Sequence, residues 1–363
     1  LEQEIKETGD YFRSKLRDDK GHTYLLAIDP YMFWRHTEYI IENGHPGNTV
    51  RNGRYYDSFV LAPKGAPARN NMPVAFQVFL VRLVRLFNNR NADVMAIIFW
   101  VPLILATLAV IPAFFIGKRF GGPVGGLFAA TMLAINSTFL GRTSAGFADN
   151  DAYTVLFPLI IAWLFIKGFE SDSLRNGLLL AALNGLVVGL FSFAWVGWWY
   201  MFDFVLGAIA VHLIYYAIIH IKELKKGLRS FINQKPILHG IYMTSVFIAS
   251  SGIFVSVLEW TRDYAREFSF SRFLSAFTNP FNIHGVLAKD VAVTDIWPKI
   301  HTTVAELNPL SINGIIRNVG GKLFFYIAIL GILFTLLKKD KRGARDVKIT
   351  ALLTIWLVST IVA

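Results

Sequence analysis

Long hydrophobic runs, separated by short polar connections, dominate the chain from residue 94 onwards. A helix needs about 20 mostly apolar residues to cross a bilayer. The runs that approach this length are Val94 to Gly117, Pro123 to Leu140, Ala152 to Ile166, Gly177 to Ala194, Trp198 to Ile221, Ile237 to Leu258, Leu323 to Leu337 and Ile349 to Ala363. The pattern therefore predicts an all-α polytopic membrane protein.

Two stretches before residue 94 have different patterns. Val74 to Phe87 is apolar but is interrupted by Arg82 and Arg85, which favours an amphipathic helix lying at the membrane surface over a span. Residues 43–73 are rich in Gly, Pro, Asn and Arg, and this composition predicts an irregular surface loop.

Composition agrees with a membrane protein, because 54% of the residues are hydrophobic and the mean hydropathy is +0.46. The absence of cysteine excludes disulfides, thiol catalysis and cysteine-based zinc sites. A formal charge of +11 raises the question of nucleic-acid binding. The basic residues, however, are concentrated in alternate short connections between the predicted spans and do not form one soluble face. They are Lys118 and Arg119; Lys167 and Arg175; Lys222, Lys225, Lys226, Arg229 and Lys235; and Lys338, Lys339, Lys341, Arg342, Arg345 and Lys348. These connections are predicted to be cytoplasmic, and no nucleic-acid partner is expected.

Spans and sidedness together divide the chain into four parts. Residues 1–93 are the first extracytoplasmic loop with its surface helix, and residues 94–258 are transmembrane helices that include the acidic loop 141–151. Residues 259–322 are a second long extracytoplasmic loop, and residues 323–363 are further transmembrane helices. The charged start of the chain does not resemble a signal peptide, and the sequence is interpreted as a fragment of a longer protein.

Asp149 and Asp151 stand at the edge of an apolar run, where an unpaired charge is costly. They are one residue apart, so in an extended loop both side chains can point the same way. Paired carboxylates at a water-facing membrane edge suit a hard divalent cation. For Asp151, capping of the helix that begins near Ala152 is an equally good explanation.

Two further acidic residues are predicted on the same face. Asp29 precedes Pro30 and a stretch with helical spacing, so an ordinary N-cap is the simpler interpretation of this residue taken alone. Glu306 lies in the second long loop, where a solvated glutamate is the default.

Three motifs occur in a fixed order. They are D-P-Y-x-x-x-R from Asp29 to Arg35, G-R-T-S-A-G-F-A-D-N-D from Gly141 to Asp151, and T-V-A-E from Thr303 to Glu306. In sequence, order and side they resemble the catalytic subunit of oligosaccharyltransferase, most closely its archaeal and eukaryotic branches. The resemblance covers the chain from about residue 24 to the end. It implies the transmembrane domain of a GT-C-type glycosyltransferase with long extracytoplasmic loops.

The resemblance also implies a mechanism. Asp29, Asp149 and Asp151 would bind Mn²⁺ or Mg²⁺, while Asp29 and Glu306 would engage the acceptor amide as catalytic and substrate-binding residues. The reaction implied is inverting transfer of a glycan from a polyprenyl (dolichyl) phosphate or diphosphate carrier to asparagine in Asn-X-Ser/Thr. The partners implied are this lipid-linked oligosaccharide, an acceptor polypeptide with that sequence, and membrane lipid.

The expected location is an archaeal cell membrane or the endoplasmic reticulum membrane, with the active site on the extracytoplasmic or lumenal side. The family's first transmembrane helix and its soluble C-terminal domain with a Trp-Trp-Asp-Tyr-Gly motif lie outside this sequence. Trp198, Trp199 and Tyr200 do not replace that motif, because aromatic residues at a span end are typical of an interfacial belt.

Three alternative functions remain open from the sequence. Another membrane glycosyltransferase acting on a hydroxyl or lipid acceptor would also use polyprenyl-linked sugars, although T-V-A-E argues against it. An ion-binding transporter would need ionisable residues deep within its spans, where Asp203 is the only acidic residue. The third alternative is that the chain serves only as a scaffold for a further domain.

Overall fold

The computed structural model describes residues 2–19, 21–68, 70–87, 92–262, 268–279, 311–337 and 351–355. The helices within them are α1 (Glu2–Lys15), α2 (Ile28–Asn43), α3 (Met72–Phe87), α4 (Val94–Ile98), α5 (Val101–Ala134), α6 (Ser137–Thr143), α7 (Asp151–Phe169), α8 (Leu174–Ala194), α9 (Trp199–Ile219), α10 (Ile221–Lys226), α11 (Leu228–Ile232), α12 (Lys235–Arg262), α13 (Ser271–Ala276), α14 (Ile312–Asn318) and α15 (Lys322–Leu337). The strands are β1 (Thr49–Arg51), β2 (Arg54–Asp57) and β3 (Ala66–Pro67).

Five helical segments of the described chain are long and apolar enough to cross a membrane. They are Val94–Ala134, Asp151–Phe169, Leu174–Ala194, Trp199–Ile219 and Ile237–Thr261. A sixth is possible where α14 and α15 follow each other across a bend of 90°. The prediction of an all-α polytopic membrane protein is confirmed. The last predicted span, Ile349 to Ala363, falls mostly outside the described residues.

Most of the first two predicted spans, Val94 to Gly117 and Pro123 to Leu140, forms the two arms of one helical hairpin, α5. The helical conformation breaks at Gly121 and Gly122, and Gly122 has a φ of +65°. A Cβ built on Gly117 would lie 2.4 Å from the carbonyl oxygen of Gly125. Since a straight helix would separate these residues by about 12 Å, the chain must reverse between them. Glycine makes both the turn and the close contact possible.

The main core lies where the membrane-length helices α5, α7, α8, α9 and α12 meet. Ile161, Val188, Phe191, Met201 and Phe202 are 0% exposed there. Helices of this length that are apolar all round are buried or lie in a membrane. Exposed apolar side chains of α5 include Leu103, Ile104, Leu108 and Ile111. Trp198 is only 2% exposed and belongs to this core, so its assignment to an interfacial belt is wrong.

The region predicted to be an irregular loop, residues 43–73, contains a three-stranded antiparallel sheet in the order β1-β2-β3. Asp57 at the end of β2 is 0% exposed and accepts hydrogen bonds from Arg35 Nε at 2.9 Å and His36 Nε2 at 3.0 Å. The Phe59 N–H also donates to this carboxylate, at 2.9 Å. The sheet is thus held to α2 by a buried charge cluster. The sequence has no alternation of hydrophobic residues here that would predict the strands.

Two connections that are predicted to be cytoplasmic lie together at one end of the bundle. Arg119, beside the hairpin turn, forms an ion pair with Glu170, which follows α7. The connection between α6 and α7 lies at the other end of α7. The basic connections and the acidic loop are therefore separated by the length of a membrane-crossing helix.

Candidate active site

The loop between α6 and α7 is fixed by backbone hydrogen bonds to two distant segments. The Gly146 N–H donates to the Phe99 carbonyl at 2.7 Å, and the Leu26 N–H donates to the Gly146 carbonyl at 3.0 Å. Phe99 follows α4, whereas Leu26 comes just before the helix that carries Asp29. Gly146 therefore connects the loop that bears Asp149 to the start of α2.

Gly146 should not tolerate a side chain. It has a φ of +93°, and an added Cβ would lie 2.9 Å from the Phe99 ring and 3.1 Å from Leu26 Cγ. We expect Gly146→Ala to cost about 1–3 kcal/mol in backbone strain alone and to displace the acidic loop. Thermal unfolding and the rate of the proposed glycan transfer would measure both effects. Gly141→Ala is the matched control, because a Cβ there would meet nothing within 4 Å. Equal effects of the two changes would contradict the inference that Gly146 holds the acidic loop against Phe99 and Leu26.

Asp149 is a partly buried carboxylate surrounded by other charges. It accepts a short hydrogen bond from the Asn150 N–H. Burial raises the pKa of Asp149 to about 6, opposed by the Asn150 N–H and supported by the negative charges of Asp151 and Asp29. The positive charge of Arg142 lowers this pKa. Asp29, 120 residues earlier in the chain, thus lies close enough to act on Asp149 electrostatically.

Asp151 is the first residue of α7, and its carboxylate lies 3.5 Å from the Arg142 guanidinium. The N-cap position belongs to Asn150, whose side chain makes no capping hydrogen bond. The interpretation of Asp151 as the N-cap of a helix starting near Ala152 is therefore wrong by one position. Arg142 also lies over the Phe147 ring at 5.4 Å, which orients it across the loop. Sequence reasoning passed over this arginine, although it stands in the same motif.

Asp29 occupies the first turn of α2 and is exposed. The N-cap of α2 is Ala27, so the N-cap interpretation of Asp29 is also wrong. Within the described residues the Asp29 carboxylate makes no hydrogen bond or ion pair. Its position and exposure leave it available for a ligand.

Asp29, Asp149 and Asp151 thus share one region of the molecule. Within the ranges that the structure describes, however, no group of three or more His, Cys, Asp or Glu side chains is arranged to hold a metal ion. Glu306 and the rest of the T-V-A-E motif lie outside the described residues, so their position relative to this region stays a prediction.

Two basic residues of the outer regions have structural partners. Arg35, the arginine of the first motif, is bound to the buried Asp57. Arg272 donates to the Ser192 carbonyl at 2.7 Å and lies 3.8 Å from Glu259. Arg272 therefore connects α13 to α8.

Asp203 is the acidic residue that an ion-transport function would use. It lies in α9, and its Oδ2 atom is buried without a hydrogen-bond partner among the described residues. A single carboxylate supplies few of the oxygen ligands that a transported ion requires. The clustered carboxylates outside the bundle are the stronger candidates for chemistry.

Membrane-length helices, with carboxylates gathered beyond one end of the bundle, define a polytopic membrane protein with a candidate acidic site. The chain belongs to the oligosaccharyl transferase STT3 family, since residues 8–363 match the family described as "Oligosaccharyl transferase STT3, N-terminal". The family predicted from the three motifs is thereby confirmed.

Similar proteins include two archaeal dolichyl-phosphooligosaccharide-protein glycotransferases. The Methanococcus voltae protein is 28% identical over 98% of this chain and 40% of its own length. The Methanocaldococcus jannaschii protein is 26% identical over 100% of this chain and 46% of its own. The chain thus spans less than half the length of these curated relatives.

The fold is also similar to solved archaeal structures. The Archaeoglobus fulgidus oligosaccharyltransferase AglB with an inhibitory peptide and a dolichol-phosphate has a TM-score of 0.56 and 16% identity, over 94% of this chain and 44% of that one. The A. fulgidus enzyme with zinc and sulfate has a TM-score of 0.53 and 17% identity, over 94% and 42%. At these identities the likeness concerns the fold alone.

Proposed function

We propose that the full-length protein transfers a glycan from a polyprenyl (dolichyl) phosphate or diphosphate carrier to the asparagine of Asn-X-Ser/Thr. The observation that carries this proposal is that Asp29 lies close enough to Asp149, 120 residues later in the sequence, for its charge to act on that carboxylate. The hydrogen bond from the Leu26 N–H to the Gly146 carbonyl holds the two segments together. A purely structural role does not require three carboxylates to approach one another, because like charges repel. The names of the archaeal relatives support the same reaction.

Mn²⁺ or Mg²⁺ is the cofactor whose chemistry suits these three carboxylates, and binding would require the carboxylates to move together, since the described residues form no ready metal site. Hard divalent cations prefer carboxylate oxygens. Burial is the main cause of the raised pKa of Asp149, and the negative charges of Asp151 and Asp29, which a cation would neutralise, add to it. Asp29, Asp149 and Asp151 would hold the ion, which requires Asp151 to turn from Arg142. The chemistry that a bound ion supplies at such a site is Lewis-acid stabilisation of charge on departing phosphate oxygens.

The acceptor asparagine needs help from the protein because its nitrogen lone pair is delocalised into the carbonyl, as in a peptide bond. Asp29 and Glu306 accept hydrogen bonds from the two carboxamide N–H groups and so orient or twist the amide. Charged acceptors make the stronger hydrogen bonds. No general base of raised pKa is required at the start of the reaction.

The bond changes then follow. The carboxamide nitrogen forms a bond to the sugar C1 while the bond from C1 to the carrier phosphate oxygen breaks, which inverts the configuration at C1. The nitrogen becomes acidic once it carries the sugar, and it passes one proton to a carboxylate that it contacts. The lipid phosphate or diphosphate leaves with the bonding electrons.

The reaction takes place on the extracytoplasmic side of the membrane. Support comes from the charge pattern: the basic connections at Arg119 and Arg175 lie at one end of the bundle, and the acidic loop lies at the other. A lipid-linked donor approaches such a site from the membrane, while the acceptor polypeptide approaches from water.

Transfer from a lipid-linked oligosaccharide to a fluorescent peptide containing Asn-X-Thr tests the proposal. We expect a glycosylated asparagine, loss of activity on chelation, and recovery with Mn²⁺ or Mg²⁺. A Gln-X-Thr peptide is the control and should remain unmodified. Transfer to the threonine hydroxyl, or to the glutamine peptide, would favour a different glycosyltransferase. Activity unaffected by chelation would contradict the metal site.

A further inference from the structure

A buried carboxamide lies between the two segments that carry the acidic residues. Gln77 of α3 is 1% exposed, within a helix face that is otherwise apolar. Thr37 Oγ1 donates to Gln77 Oε1 at 2.8 Å, and Gln77 Nε2 donates to the Ala148 carbonyl at 3.4 Å. Thr37 and Ala148 are 0% and 1% exposed, so water does not replace either hydrogen bond.

Each partner of Gln77 connects to a carboxylate. Thr37 lies on α2, eight residues after Asp29, and a helix transmits its position rigidly over that distance. Ala148 directly precedes Asp149. One side chain therefore joins the helix of Asp29 to the loop of Asp149.

The surrounding packing cannot supply this connection alone. Phe33, Ile40, Val74 and Val78 form an apolar cluster between α2 and α3. Apolar contacts hold the helices together without direction, whereas a hydrogen-bonded amide fixes the position of one particular carbonyl. Hydrogen bonds buried in this way favour one arrangement of the groups that they join.

We propose that Gln77 is a positioning residue: its carboxamide, bonded to Thr37 and Ala148, sets the separation between Asp29 and Asp149. The proposal rests on the proposed function, in which these carboxylates share a cation. Gln77 itself touches neither metal nor substrate. It acts as an outer support that orients the ligands, as such partners do at other metal sites.

The test compares four variants of the full-length protein with the wild type. Gln77→Met keeps the length and approximate volume of the side chain but removes both hydrogen bonds. We expect Mn²⁺ affinity, measured by electron paramagnetic resonance titration, to fall about 10- to 100-fold. Hydrogen exchange of peptides covering residues 144–150 should become faster. Thr37→Val should also lower the Mn²⁺ affinity and speed up hydrogen exchange of the loop. Thr37→Ser, which keeps the hydroxyl, should leave both near their wild-type values.

Val78→Ala controls for simple destabilisation. Val78 is buried one position further along α3 and packs against α2, but it takes no part in the network. It should lower the melting temperature and leave Mn²⁺ affinity and loop exchange near the wild-type values. Wild-type affinity and exchange in Gln77→Met would overturn the proposal, as would equal losses in Val78→Ala. If the wild type binds no Mn²⁺, the metal site fails, and loop exchange alone then decides the role of Gln77.

Discussion

Asp149→Asn in the full-length protein should reduce glycan transfer by at least about 10²-fold at saturating Mn²⁺. Asparagine keeps the size of the side chain and one oxygen, but it removes the charge that a divalent cation requires. The initial rate of transfer to an Asn-X-Thr peptide measures the loss. The dependence of that rate on Mn²⁺ concentration should weaken in the same variant.

The melting temperature of Asp149→Asn shows whether its loss of activity comes from a lost metal ligand or from unfolding. The pKa of Asp149 is raised from 3.8 to about 6 in the folded protein, chiefly by burial. Protonation therefore stabilises the metal-free protein below about pH 4, and this contribution is lost as the pH rises through about 6. At pH 7 the ionised carboxylate is unfavourable, so Asp149→Asn should leave the melting temperature unchanged or raise it.

The matched control for Asp149→Asn is Asp10→Asn, which alters an exposed aspartate on α1 that pairs with Arg13. It should change neither transfer nor Mn²⁺ dependence. Near-normal transfer by Asp149→Asn, together with a wild-type Mn²⁺ response, would remove Asp149 from the metal site.

Glu306→Gln should also lower kcat by about 10²-fold or more while donor binding changes little. The glutamine keeps the size of the side chain but offers a neutral carbonyl oxygen to the acceptor amide in place of a charged carboxylate. The interaction is expected to be strongest as the amide twists towards attack, so its loss should appear in turnover. Single-turnover transfer to the Asn-X-Thr peptide, with separate titration of the lipid-linked donor, distinguishes the two quantities.

Glu259→Gln provides the comparison for Glu306→Gln. Glu259 lies in α12, 3.8 Å from Arg272, is 15% exposed, and has no role in the proposed chemistry. Its replacement should affect stability more than turnover. Normal turnover by Glu306→Gln would exclude this residue from the mechanism and reopen transfer to a hydroxyl acceptor.

The sequence predicts those parts of the fold that depend on local composition. Membrane-length helices need long apolar runs, and the run after Ala152 became α7 within one residue of its expected start. The helix α3 likewise follows the amphipathic pattern interrupted by Arg82 and Arg85. Its contact with a membrane surface stays a prediction.

Features that depend on contacts between distant residues could not be predicted from the sequence. The hairpin in α5 requires Gly117 and Gly125 to meet, and neither glycine alone indicates a reversal. The small sheet is held by Asp57, whose partners lie 21 and 22 residues earlier on α2. Strands this short, with buried ionic partners, lack the alternation that identifies a strand.

The residues of the candidate site also differ in how far the sequence alone identifies them. Asp149 and Asp151 were recognisable because two charges interrupt the edge of an apolar run. Gln77 left a weaker signal, a lone amide on the buried face of an amphipathic helix, which only its contacts with Thr37 and Ala148 make informative. The approach of Asp29 to Asp149 follows from the docking of Leu26 on Gly146, a backbone contact that no side-chain pattern encodes.

An experimental structure of the full-length protein with Mn²⁺, located by its anomalous scattering, tests the shared acidic site most directly. We expect one ion bound by oxygens of Asp29, Asp149 and Asp151 at about 2.0–2.6 Å, with Asp151 turned from Arg142. An ion bound elsewhere, or one held by the Asp149–Asp151 loop while Asp29 points away, would contradict it.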